Sequence, residues 1–189
     1  MSILIVFESM YGNTHEIADH VASGLRARHA VDVVAASTPP PQDLEVDLLV
    51  VGGPTHVHGL SRASTRTAAA DAAATDEDLH LDDSADSESG LREWLAALGE
   101  HPHARAAAFD TRLDAAAVLT GRASRRIAKH LRGHGYDLIA EPESFLVDKH
   151  NHLLPGEAER ARQWGAQLGD QLPAAGTEAA MSDRRRPRD

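Results

Sequence analysis

Ile3 to Glu16 reads ILIVFESMYGNTHE: an unbroken apolar run, a loop of hydroxyl, amide and glycine residues, then the first turn of a helical pattern. A continuous run rich in β-branched residues is what a strand buried on both faces requires. Beyond the loop, Ile17, Val21 and Leu25 recur every fourth residue beside Ala18 and Ala22, which predicts a helix to about His29, its start capped by Asn13 and Glu16. The loop itself leaves backbone N–H groups bare, adds the hydroxyls of Ser9 and Thr14, and permits close approach at Gly12. Together with the start of the helix and its dipole, these donors suit a phosphate. The loop holds no Lys or Arg, and a nucleoside triphosphatase, whose loop lysine contacts the terminal phosphates, is therefore disfavoured.

The alternation of strand and helix continues down the chain. Val31–Ala36 and Asp47–Val51 predict the second and third strands, closed by the prolines at 39–41 and by Gly52-Gly53-Pro54. Residues 64–74 predict a short alanine-rich helix, Leu91, Trp94, Leu95 and Leu98 a helical stripe, and Ala104–Phe109 a fourth strand. A helix over about 121–132 turns Ala123, Ile127 and Leu131 inward and carries Arg122, Arg125, Arg126, Lys129 and Arg132 on its other face. Tyr136–Val147 predicts a fifth strand bent at Pro142, and Pro155 opens a last helix containing Trp164, Gly165 and Leu168. Five strands alternating with helices imply an α/β fold, a three-layer doubly wound sandwich around a parallel sheet.

The charge is unevenly distributed. Of a formal net charge of −10, most comes from Asp71, Asp76, Glu77, Asp78, Asp82, Asp83, Asp86 and Glu88, a stretch without Lys or Arg. Residues 75–89 are too poor in bulky apolar groups to offset the entropy of ordering them, so a disordered insertion is expected there. One domain over residues 1–171 and a disordered tail over 172–189 complete the expected organisation. An acidic chain argues against nucleic acid as a general partner. The absence of cysteine excludes disulfides, thiolate nucleophiles and Cys-based zinc sites. The pairs His56/His58, His101/His103 and His150/His152 lack an evident third ligand and, His56 excepted, read as surface residues, so no metal site is expected. The apolar run after Met1-Ser2 is too short for a signal peptide or a membrane span, and a cytoplasmic protein is expected.

In a doubly wound sheet, ligands bind outside the carboxyl ends of the strands, where the winding reverses. The loops that matter therefore follow Phe7, Val51 and Phe109. At the first of these the chain resembles the flavodoxin family, whose phosphate loop has the form [ST]-x-[TYF]-G-x-T; Ser9, Met10, Tyr11, Gly12, Asn13 and Thr14 fit every position. The resemblance spans about residues 2–60 and 91–171. It implies strand order 2-1-3-4-5 and an FMN whose 5′-phosphate lies in Ser9–Thr14. It further implies that Pro54, Thr55, His56 and Val57 hold one side of the isoalloxazine, and that Phe109, Asp110, Thr111 and Arg112 hold the other side and the pyrimidine edge. The implied function is electron transfer through the flavin, from NAD(P)H or a reductase to a redox partner protein or a small quinone-like acceptor.

The family's electron carriers sandwich the ring between aromatic residues, whereas these loops offer His56, His58 and Arg112, with Tyr11 alone clearly inside a binding loop. That departure tilts the expectation towards an open, substrate-accepting site. A flavin-free module with the same fold is the alternative, and the intact loop argues against it. The basic helix face suits an acidic redox partner or a nucleotide phosphate, although such a face is more often simply solvated.

Overall fold

The apolar run forms β1 (Ser2–Phe7), and the helical pattern after it forms α1 (Asn13–Leu25). There follow β2 (Ala30–Ala35), β3 (Leu48–Pro54), α2 (Ala63–Thr75), α3 (Leu91–Ala97) and β4 (Arg105–Leu113). The chain continues through α4 (Ala117–Thr120), α5 (Ala123–Gly133), β5 (Asp137–Leu138), β6 (Glu143–Val147) and α6 (Glu157–Asp170). The computed structural model describes the chain except residues 57, 58, 77, 78, 87 and 174–189, with the backbone alone at 118 and 119. Val57 of the second loop, part of the acidic stretch and nearly all of the expected tail thus lie outside the described residues. Leu172, expected in the tail, packs instead into the core.

All strand pairings are parallel, in the order β2-β1-β3-β4-β5, with β6 also on β4. The fifth position of the sheet is split where a single bent strand was expected. Arg105 faces Asp137 and Phe109 faces Glu143, so four residues along β4 oppose six along its partner. The surplus falls at 139–142, where Pro142 has no N–H to give the ladder. Arg122 braces this bend by donating Nη2 to the Pro142 carbonyl (2.6 Å) and Nε to Ser144 Oγ (3.0 Å).

Alternate strand residues supply the two faces of the core. Ile3, Ile5, Phe7 and Phe109 pack under α1 and α6 with Phe145 and Trp164, whose rings meet edge to face. Val6, Leu49, Val51 and Ala108 pack under α3 and α5 with Leu91, Leu95 and Ile127. The helices of the first face touch backbone to backbone. A Cβ on Gly24 would lie 2.1 Å from the Arg162 carbonyl oxygen, and one on Gly165 would lie 2.2 Å from that of Val21.

The described residues of the acidic stretch make defined contacts with the rest of the chain. Asp82 donates its N–H to the Met10 carbonyl (2.8 Å), and its carboxylate accepts from the Ser84 N–H (2.8 Å) and hydroxyl and meets His15 Nδ1 at 3.0 Å. At the other end, fully buried Arg66 bonds the Glu88 carbonyl (2.8 Å) and Ser61 Oγ (3.2 Å) and pairs with Glu93 (3.1 Å). Between them, Tyr11 donates its hydroxyl to the Ala69 carbonyl of α2 (3.1 Å). Low apolar content leaves this segment little hydrophobic drive, but aspartates that satisfy their own turns and polar contacts with His15 and Arg66 replace it.

Two outcomes follow from these contacts. Alanine outranks glycine in a helix by about 1 kcal/mol, yet Gly165→Ala should destabilise the fold by about 1–3 kcal/mol in urea unfolding, because the helices must separate to admit the methyl group. Partial burial raises the Asp82 pKa, but the Ser84 and His15 bonds outweigh it and hold the carboxyl below its usual range. A depressed folded pKa contributes stability above the unfolded value that is lost as pH falls through the folded one. Asp82→Ala, which deletes a capping side chain worth about 1 kcal/mol, should therefore lower Tm at pH 7 by roughly 2–4 °C and speed proteolysis within 79–86; the gap from wild type should close at acid pH.

Candidate functional site

The carboxyl ends of β1, β3, β4 and β6 converge on one open cleft. From the first loop it is lined by Ser9, Met10, Tyr11, Asn13 and Thr14. Gly12 makes the turn into α1 at φ 91, a left-handed conformation costly for any other residue. Its N–H donates to Ser9 Oγ (3.0 Å), and the first helical bond runs from Glu16 N to the Gly12 carbonyl (2.9 Å). The N–H groups of Asn13, Thr14 and His15 consequently have no acceptor within the helix. Asn13 does not cap the helix as expected: its Nδ2 donates to the Asn151 carbonyl (2.8 Å), and no side chain caps this helix start. The Thr14 hydroxyl lies 2.7 Å from that of Thr111, tying the first loop to β4.

Pro54, Thr55 and His56 form the second wall. His56 closes a tight turn, exchanging backbone bonds with Gly59 (2.8 Å each way). Burial pushes the His56 pKa down; the Glu8 carboxylate pulls the other way, and the Arg66 guanidinium reinforces the burial. Its Nε2 is buried without a partner.

The third group of expected residues is not a loop, because β4 extends to Leu113, and strand alternation sorts its members. Phe109 is completely buried in the core and does not reach the cleft. Asp110 is completely buried too and faces α5, where its Oδ2 accepts from Thr55 Oγ1 (3.0 Å) and Ser124 N (2.8 Å). Thr111 and Arg112 do line the cleft. Arg112 curls over its own connection, donating Nη1 to the Ala115 carbonyl (2.7 Å), while its Nε is buried and unpartnered.

Sequence reading missed a fourth wall, formed by Val147, Asp148, Lys149 and Asn151 after β6. The rule that ligands gather at every carboxyl strand end could have found it, since Asp148-Lys149 follows the fifth strand directly. The donor set fits a phosphate monoester: free helix-start N–H groups, hydroxyls and one nearby lysine. The flanking unpartnered His56 Nε2 and Arg112 Nε fit a flat heteroaromatic rich in acceptors.

The flavodoxin family profile matches residues 5–118. No curated protein matches the chain. Among solved structures, oxidised flavodoxin 1 from Bacillus cereus superimposes with a TM-score of 0.65 at 20% identity, covering 92% of this chain and 100% of that one. Flavodoxin 2 from the same organism gives 0.60 at 18% identity over 91% and 100%. A flavodoxin from the domain Archaea gives 0.57 at 15% over 90% and 98%. Identities this low speak for the fold alone, whereas the profile covers more than half of the sequence: the chain belongs to the flavodoxin family.

Proposed function

We propose that this protein binds FMN in the cleft and passes electrons through it, from NAD(P)H or a reductase to a redox partner or a small quinone-like acceptor. The observation that carries the reading is the convergence of the donor-rich 9–14 loop with the ends of β3 and β4 on one cleft. When bound, FMN supplies the redox chemistry, and the protein binds it, orients it and sets its electrostatics. Ser9, Thr14 and the free N–H groups of the first loop hold the phosphate, with Thr111 fixing the Thr14 hydroxyl in position. Arg112 brings a permanent positive charge and a free Nε–H to the opposite wall. His56, its pKa lowered, stays neutral at physiological pH and offers Nε2 to a ligand without adding charge. Among the described wall residues Tyr11 is the only Phe, Tyr or Trp, which supports access by a small acceptor over a sealed carrier.

Titration of the purified protein with FMN, followed by absorbance and flavin fluorescence, tests the reading. No uptake would leave the flavin-free module. Thr14→Ala should cost about 1.5–3 kcal/mol of phosphate binding, a loss of roughly 10- to 150-fold in FMN affinity. A solvent-screened charge on the cleft wall is worth on the order of 1 kcal/mol, or about 40 mV per electron, in favour of the reduced, more anionic flavin. Arg112→Gln should accordingly make the potential of bound FMN more negative by tens of millivolts in spectroelectrochemistry. Equal potentials would remove Arg112 from the electrostatics of the site.

A further inference from the structure

The five cations of the basic helix face separate in the structure. Arg122 is engaged at the bend of the fifth sheet position. Arg126 and Lys129 line a groove beside the cleft, where they meet Arg62, just before α2, and Arg92 of α3. The groove consists of two adjoining hollows that share Leu60, Arg92 and Arg126. One adds His56, Arg62 and Ser64, and the other adds Lys129, His130 and His134. Among the described residues, no Asp or Glu lines either hollow, and neither Arg126 nor Lys129 has a carboxylate partner. Arg92 is held in place by donating Nε to the Ser61 carbonyl and Nη2 to that of Leu60, each at 3.1 Å.

His56 belongs to both the cleft and the groove. The groove thus opens from the candidate flavin site and follows α5 for about 10 Å, the rise from Arg126 to Gly133. Partial burial, then Arg92, His134, Lys129 and Arg126, push the His130 pKa down, as a concentrated positive field should. On a chain of net charge −10, that concentration runs against the composition.

We infer that this groove binds a small ligand carrying a diphosphate and a separate monophosphate, of the nicotinamide dinucleotide phosphate class. Guanidinium forks match phosphate oxygens bidentately, and Arg62 in one hollow and Lys129 in the other extend the shared Arg92 and Arg126 to two phosphate sites. An acidic protein would be met by cations spread over a flat face, whereas these converge on concavities, one cation already immobilised. The inference deepens the proposed function, on which it rests for what the nucleotide would be used for. Binding itself does not require the flavin.

Calorimetric titration of the full chain, with and without FMN, tests it using NADP⁺, NAD⁺, inorganic pyrophosphate and short poly-glutamate. NADP⁺ should bind about tenfold or more tightly than NAD⁺, since one charge-assisted phosphate contact is worth that factor, and salt should weaken both. Arg126→Ala and Lys129→Ala should each weaken NADP⁺ about tenfold or more. Arg125→Ala, on the exposed face outside the groove, should not, and FMN affinity should be the same in all three. Failure to bind NADP⁺, equal weakening by Arg125→Ala, or a response to poly-glutamate alone would overturn the inference. NADP⁺ binding by a chain that takes up no FMN would keep the groove and overturn the flavin reading; FMN uptake without NADP⁺ binding would do the reverse.

Discussion

The buried carboxylate of Asp110 is the contact on which the site's geometry depends. It lies on β4, accepts the Thr55 hydroxyl at the end of β3, and accepts the Ser124 N–H at the start of α5. Thr55 Oγ1 in turn accepts the Ala123 N–H (2.9 Å), so two orphan donors of that helix are satisfied from neighbouring strands. A negative charge at the positive end of a helix is favourable, and burial strengthens the interaction. With Asp110 turned towards α5, strand alternation sends Thr111 to the opposite face, where it meets Thr14. The first loop, the second loop and β4 are thereby locked to one another by Asp110, which stays clear of the cleft, and by Thr14, Thr55 and Thr111, which line it.

Charge is apportioned by the same tertiary logic. Two of the aspartates that give the chain its acidity are occupied with local structure: Asp82 and Asp86 hold their own turns, and Asp82 also anchors the segment to the first loop. Arg66, the fully buried cation, secures the far end of this segment. Arg62, Arg92, Arg126 and Lys129 gather in the groove beside His56, and no Asp or Glu among the described residues lines it. One protein therefore presents an acidic segment tied to the 9–14 loop and a cationic groove on the side of His56, an asymmetry that its net charge conceals.

Much of this was legible in the primary structure. The apolar runs marked the strands of the parallel sheet, the four-residue spacing of Ile17, Val21 and Leu25 set the first helix, and the loop 9–14 located the cleft, because strand burial, helix amphipathicity and donor density are local properties of the chain. Three things were decided only in three dimensions. Phe109 and Asp110 left the site because β4 ran on to Leu113, and pairing with β3 and β6, rather than propensity, determines how far a strand extends. The contacts of the acidic stretch run to Met10, His15 and Arg66 in other elements, so composition registered its charge but not its pairing. The groove beside His56 was assembled from residues far apart in sequence, and no local pattern records which cations will face the same hollow.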